Sequence, residues 1–130
     1  MLALRDRGIV VDIAEGRLVR SEFYRRCAEA WITWSPEGLG WDCFRHYEAA
    51  ICESVPLMNQ PTIERYEPLV EGVHALYYNA EEGGLTRAVM AALADKQRLA
   101  NMARAARNHV LAHHTPAALA RHIVRTVLPL

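Results

Sequence analysis

One short stretch of the chain combines the residue types that bind a phosphorylated sugar. Glycines in a loop let the backbone come close to a ligand, and the N-terminus of a following helix offers free N–H groups to an anion. Arg45 and Glu48 stand one turn apart on that helix, where a guanidinium suits a diphosphate and a carboxylate suits two sugar hydroxyls. The stretch therefore predicts a nucleotide-sugar site with the candidate donor ligands Glu37, Gly38, Gly40, Arg45, His46 and Glu48.

The same residues also allow structural interpretations. Glu48 could be a surface glutamate that the helix dipole favours in the first turn, and Arg45 could pair with Asp42 on the helix surface. Gly38 and Gly40 could belong to an ordinary turn between a strand and a helix. The pattern identifies no catalytic residue.

Histidines and cysteines give weaker signals. His109 and His113 have the spacing of metal ligands on a helix, but the sequence positions no third ligand, so we expect no metal site. The cysteines Cys27, Cys43 and Cys52 are odd in number and widely spaced, which argues against disulfides and favours a reducing compartment.

Two tryptophans flank the glycine loop. Trp34 and Trp41 could each stack on a base or a sugar, and we expect Trp34 to lie in the core instead.

Length and composition restrict the class of protein. A chain of 130 residues corresponds to about one domain, and its formal charge of zero gives no broad attraction to nucleic acid. No apolar run approaches the roughly 20 residues of a membrane helix, and the first residues lack the apolar core of a signal peptide. We expect a cytoplasmic protein.

Strands and helices alternate along the first part of the chain. We predict strands at residues 8–13, 31–34, 55–59 and 75–78, with one or two helical turns within residues 62–72. Ser21 and Asp42 are predicted helix caps. The helix after Asp42 is expected to turn Phe44, Tyr47 and Ile51 inward.

The last part of the chain is helical. Leu85, Val89 and Leu93 mark one helix, and Asp95 caps a second with Leu99, Met102, Ala106 and Val110 inward. Thr115-Pro116 begins a third, which carries Leu119, Ile123 and Val127. The whole pattern predicts an α/β fold, with a Rossmann-like parallel sheet of about four strands, flanking helices and a helical C-terminal tail.

Several motifs occur in the order known from one enzyme family. The chain carries Ser35-Pro36, Glu37-Gly38-Leu39-Gly40, Glu48-Ala49 and Val55-Pro56, and later a glutamate, an aliphatic residue and a glycine before a strand within residues 67–77. This order resembles the C-terminal, donor-binding domain of GT-B glycosyltransferases, within the glycosyl transferases group 1. The Arg45-x-x-Glu48 form is most similar to the spore-coat-type and exostosin-like branch.

The resemblance covers almost the whole chain and implies a function. Residues 1–130 would form a partial nucleotide-sugar-binding domain of an enzyme that transfers a sugar from a nucleoside diphosphate to an acceptor hydroxyl, with no metal required. The N-terminal domain and the first two strands of the C-terminal domain have no counterpart here, so the chain looks N-terminally truncated. We expect the isolated chain to be inactive, and the complete enzyme could be peripheral to a membrane.

Two other classes of function stay open. One is a nucleotide-binding or protein-interaction α/β module without catalysis, and the other is a flavodoxin-like domain that binds a partner.

Because residues 31–34 would form an open, apolar sheet edge, we also expect a homo-oligomer built on residues 8–34. The expected partners are thus a nucleotide-sugar, the missing N-terminal domain and a second copy, without nucleic acid.

Overall fold

Three parallel strands form the centre of the computed structural model, which describes residues 2–128 of the chain. The strands are β1 Ile32–Trp34, β2 Val55–Asn59 and β3 Leu76–Tyr78, in the order β1-β2-β3. The helices are α1 Leu2–Arg5, α2 Arg20–Glu29, α3 Phe44–Ile51, α4 Gly84–Leu93, α5 Lys96–His113 and α6 Pro116–Val127.

Helices cover both faces of the sheet, which explains why β2 is a continuous apolar run. Met58 belongs to a core cluster with Ala50 of α3 and Val110 of α5, while Leu57 packs with Leu4 of α1 and Val89 of α4. Successive strand residues point to opposite faces, so these two residues of β2 hold two helical layers. The predicted α/β class, parallel sheet and helical tail are confirmed.

The strand predicted at residues 8–13 is wrong, while the other three lie within one residue of their predicted positions. The segment packs Ile9 and Val11 against the Leu57 cluster but pairs with none of the three strands. Local bonds hold it instead, since the Ile9 N–H donates to the Leu4 carbonyl and the Arg5 guanidinium to the Val11 carbonyl. A β-branched sequence favours extended backbone, but a strand also needs a partner.

The predicted start of the first two long helices needs correction. Helix α2 begins at Arg20, which places Ser21 inside the helix, and α3 follows Cys43, while Asp42 accepts a hydrogen bond from the Tyr47 hydroxyl. Residues 62–72 contain no helical turn.

The predicted inner face of α3 is confirmed at Tyr47, which packs partly buried against the core, and is wrong at Phe44 and Ile51. Its buried residues are His46, Ala49 and Ala50, while Phe44 is 86% exposed and Ile51 is 43% exposed. The two alanines let α3 approach the sheet closely. Hydrogen bonds satisfy the buried imidazole of His46, so this polar residue occupies a position at which the helical periodicity predicts an apolar one.

The caps of the C-terminal helices are confirmed. Asp95 accepts a hydrogen bond from the Arg98 N–H, and Thr115 accepts one from the Ala118 N–H. The predicted inward residues of α5 are all buried. In α6, however, the apolar residues are exposed and only Ala118 is buried. Within residues 2–128, no helix is long and apolar enough to cross a membrane.

Candidate functional site

Two helices begin at the edge of the sheet where the strands end. Strand β1 leads through residues 35–43 into α3, and β3 leads through residues 79–83 into α4. The residues before them, Cys43 and Gly83, make no side-chain cap hydrogen bond. The Gly84 N–H at the start of α4 donates to the Glu81 carbonyl, and the His46 N–H in the first turn of α3 donates to the Cys43 carbonyl. The Phe44 and Arg45 N–H groups of α3 therefore remain for water or an anion, at the edge where open parallel sheets bind ligands.

His46 fixes the loop between β1 and α3 from inside. Its Nε2 lies 2.6 Å from the Trp41 carbonyl oxygen, which can only accept, so Nε2 carries the proton. Nδ1 then accepts from the Ser35 hydroxyl at 2.7 Å. The ring is 1% exposed, and burial lowers the pKa of His46 below its usual value. The structure thus places this candidate ligand beneath the loop, as a neutral residue that positions it.

Arg45 and Glu48 point to different neighbours. The Arg45 guanidinium donates to the Pro36 carbonyl at 2.7 Å and to the Ser35 hydroxyl at 3.3 Å, so it lies beside the loop at the sheet edge. The Glu48 carboxylate accepts a hydrogen bond of 3.0 Å from the Tyr24 hydroxyl of α2, which raises the pKa of Tyr24. Among the described residues, Arg45 forms no ion pair with Glu48 or with Asp42.

The loop glycines leave backbone open to solvent. The N–H of the exposed Glu37 donates to the Asn59 side chain at 2.8 Å, and the Gly38 N–H donates to the Gly40 carbonyl at 3.1 Å. A Cβ atom added at Gly38 or Gly40 would meet nothing within 4 Å. Packing therefore does not require these glycines, and their backbone is accessible to a ligand.

The tryptophans have the opposite placement from the expected one. Trp34, predicted to lie in the core, is 42% exposed at the end of an edge strand, and its indole N–H donates to the Tyr78 hydroxyl at 3.1 Å. Trp41 is 4% exposed, and the Arg65 guanidinium lies 4.6 Å from its ring centroid. Trp34 is thus the tryptophan available to stack on a ligand.

Asn59 and Gly84 were missed by the sequence analysis. Asn59 is the first polar residue after the apolar run of β2, a position that places a side chain at the carboxyl edge. A Cβ atom at Gly84 would lie 2.2 Å from the Asn79 carbonyl oxygen, so α4 begins in close contact with the end of β3. The paired glycines before an apolar helix were the available signal.

Cys43 lies near the only buried imidazole of the described chain. Its sulfur is 3.4 Å from Nε2 and 3.6 Å from Nδ1 of His46. A nearly equal distance to both nitrogens does not align the thiol with the lone pair of either one, and both nitrogens already have oxygen partners. The arrangement does not activate Cys43 as a nucleophile.

Four of the remaining histidines gather near the C-terminal end of α5: His74, His109, His113 and His114. His109 and His114 each donate from Nε2 to the Glu67 carbonyl oxygen, at 2.8 and 2.7 Å, and the His74 ring stacks 4.3 Å from that of His109. Within residues 2–128, no group of three or more His, Cys, Asp or Glu side chains is arranged to hold a metal ion. These histidines instead attach the loop after β2 to α5.

A comparison with protein families gives a match over most of the chain. The model of a family described as glycosyl transferase-like matches residues 18–125. The chain belongs to this family. Its membership supports glycosyl transfer at the level of the family, and the match includes the whole sheet and the loop that carries the candidate site. No curated protein and no solved structure matches the chain significantly.

Proposed function

We propose that this glycosyl transferase-like chain is the donor-binding half of a GT-B glycosyltransferase. The proposal depends on one observation above all: the open backbone of residues 37–40 lies beside Arg45 and the uncapped start of α3, at the carboxyl edge of the sheet. The Glu37 and Gly38 N–H groups already have partners, so the Phe44 and Arg45 N–H groups of α3 and the Arg45 guanidinium would bind the diphosphate.

Each part of the site would then have a separate task. The N–H groups of α3 and the guanidinium of Arg45 stabilise the charge that develops on the leaving diphosphate, without a metal. The Glu48 side chain bonds to the Tyr24 hydroxyl when no donor is bound. It would rotate toward the sheet edge to accept hydrogen bonds from sugar hydroxyls. His46 and Asn59 hold the loop in position and do not touch the donor.

Calorimetric titration with uridine, guanosine and adenosine diphosphates tests the proposal. We expect weak binding that Arg45→Gln or Glu48→Gln reduces further, because each charged hydrogen bond contributes about 1.5–3 kcal/mol. Arg104→Gln, which neutralises an exposed arginine beside Trp31 and Glu53 at the opposite edge of the sheet, is the matched control and should change nothing. If Glu48→Gln unfolds the domain, the carboxylate is structural and its sugar-binding role is wrong.

The alternative is a nucleotide-binding module without catalysis. Binding alone fits both functions, so the decisive comparison is an assay of sugar transfer with the chain joined to an N-terminal GT-B domain. Transfer that disappears in the Arg45→Gln variant supports the enzyme, while tight binding without any transfer supports the module.

A further inference from the structure

Arg65 is a half-buried arginine whose partners are aromatic rings and not acids. It lies on the irregular segment between β2 and β3, and its guanidinium carbon is 4.6 Å from the ring centroid of Trp41 and 5.6 Å from that of Tyr77. Within residues 2–128, Arg65 takes part in no ion pair. A guanidinium is attracted to an aromatic face, most of all where water is excluded, so these contacts fix its place.

Two hydrogen bonds fix the hydroxyl that holds Arg65. The Tyr77 hydroxyl accepts a bond of 2.6 Å from the Arg65 guanidinium and donates one of 2.7 Å to the Leu69 carbonyl oxygen. Tyr77 is 9% exposed in β3, and Leu69 belongs to the same core cluster. The hydroxyl cannot rotate without the loss of a buried hydrogen bond. Arg65 is therefore attached both to the sheet and to the core contact of its own segment.

Trp41 is the residue through which Arg65 reaches the candidate site. Its buried ring lies 4.8 Å from the ring of His46, and it directly follows residues 37–40, whose backbone is open. We call residues 35–43, between β1 and α3, the donor loop. A displacement of the Trp41 ring would move the backbone of the donor loop, because the ring lies next to it in the chain.

We propose that Arg65 is a positioning residue, which fixes the donor loop by stacking on Trp41. The inference rests on the proposed function, since the donor loop is the one that would bring a diphosphate to the start of α3. Arg65 acts here through Trp41 and is not a ligand of the donor. The loop is then fixed from the end of β2 by Asn59 and from the segment before β3 by Arg65.

A charge that acts only from a distance is the alternative role. Burial lowers the pKa of His46, and the positive charges of Arg45 and Arg65 lower it further, so the field of Arg65 does reach the donor loop. Salt screens such a field but leaves the packing of a guanidinium on a ring in place. The two roles therefore differ in their dependence on salt.

Hydrogen exchange of the nucleotide-free chain measures the fixing of the loop directly. The reporters are the backbone N–H groups of Glu37 and Gly38 and the indole N–H of Trp41, each of which donates a hydrogen bond in the loop or to Asn59. We expect Arg65→Met to speed their exchange about tenfold, within the range of about three to thirty that a desolvated cation–π contact implies.

Controls within the chain separate a local effect from a general loss of stability. The N–H groups of Ser35 and Val55 donate between β1 and β2, so their exchange should stay as in the parent. Arg104→Met removes an exposed arginine at the opposite edge of the sheet and should leave all of these signals unchanged. If Arg65→Met fails to fold, Arg65→Gln also removes the stacked cation and should give the same result. Unchanged exchange of the reporters, or equal acceleration at Ser35 and Val55, would overturn the proposal.

Titration with uridine, guanosine and adenosine diphosphates at two salt concentrations completes the test. Arg65→Met should weaken binding about threefold to tenfold, by the same factor at low and at high salt. A loss that vanishes at high salt would mean a charge at a distance and would overturn the positioning role. If the parent binds none of the three nucleotides while Arg65→Met still speeds exchange, the proposed function fails and the fixing of the loop by Arg65 stands.

Discussion

The indole N–H of Trp41 donates a 3.0 Å hydrogen bond to the backbone carbonyl oxygen of Asn59. This bond joins the loop after β1 to the end of β2, and the Asn59 side chain holds the same loop through the Glu37 N–H. The loop that offers its backbone to a donor is thus attached to the end of the central strand.

Substitution of Trp41 by Phe should lower the free energy of unfolding by about 1–3 kcal/mol. The change keeps an aromatic ring but leaves a part-buried carbonyl with one donor fewer. Trp34→Phe is the matched control, because it removes an indole hydrogen bond from a half-exposed site and should cost less. Urea denaturation measures both values. Equal losses would show that burial of the Trp41–Asn59 bond is unimportant.

Glycines at the sheet edge should differ sharply in their tolerance of alanine. Gly84→Ala would place a Cβ atom against the Asn79 carbonyl oxygen, and we expect a loss of at least about 2–3 kcal/mol in stability. Gly38→Ala meets open space and should stay within about 0.5 kcal/mol of the parent, while weakening nucleotide binding if backbone approach matters. Thermal unfolding and titration of both variants test these values, and a stable Gly84→Ala protein would contradict the structure.

Stability should fall as the pH drops below about 6.5, the usual pKa of histidine. Burial lowers the pKa values of His46, His74 and His114 in the folded chain. The nearby groups Arg45, Arg65, His109 and His113 lower these pKa values further, while Asp42 raises those of His46 and His114. As the pH falls through 6.5, the unfolded chain takes up protons that the folded chain resists, so the free energy of unfolding decreases. Above that pH these three residues contribute their full stabilisation.

Urea denaturation over a pH series measures this slope. His114→Gln keeps a donor for the Glu67 carbonyl and removes one titrating group, so its stability should depend less steeply on pH. A free energy of unfolding that rises as the pH falls from about 6.5 to 5 would contradict the lowered pKa values of these three histidines.

The open edge of β1 should produce a homodimer or a higher oligomer. Trp31 and Ser35 exchange backbone hydrogen bonds with β2, so the alternate residues Ile32 and Trp34 turn their backbone groups outward, where no described strand pairs with them. A groove of about 470 Å³, lined by Trp31, Trp34 and Val10, runs along this edge.

Light scattering over a dilution series measures the oligomeric state. Trp31→Lys places a charge on the edge and should favour the monomer, while Met90→Lys, at a comparably exposed apolar residue of α4, should not. A strictly monomeric parent at high concentration would eliminate the oligomer.

The sequence predicted the elements whose signals are local. Strand β2 agrees to the residue, since an uninterrupted apolar run ends at Asn59, and α5 agrees because Asp95 caps a helix with a regular apolar stripe. The strand prediction for residues 8–13 was wrong because strand formation depends on a neighbouring strand far away in the chain. The prediction for the inner face of α3 was right only at Tyr47, because hydrogen bonds to Ser35 and Trp41 permit a buried histidine that the apolar periodicity does not indicate.

For the candidate site, the sequence predicted the segment better than the individual roles. Residues 37–48 do lie at the carboxyl edge, but His46 is beneath the loop and Glu48 is bonded to α2 through Tyr24. The directions of these side chains depend on neighbouring elements. The contribution of Asn59 likewise depends on how β2 meets a loop that lies some twenty residues earlier in the sequence.

Chemical-shift mapping with a nucleoside diphosphate tests the central claim most directly. The account predicts that the backbone amide signals of Gly38, Gly40, Arg45 and Glu48 move together with a single weak dissociation constant, and that Arg45→Gln reduces the response. Shifts confined to the segment that carries His109 and His113, or no shifts at millimolar ligand, would contradict a donor site at the carboxyl edge of this sheet.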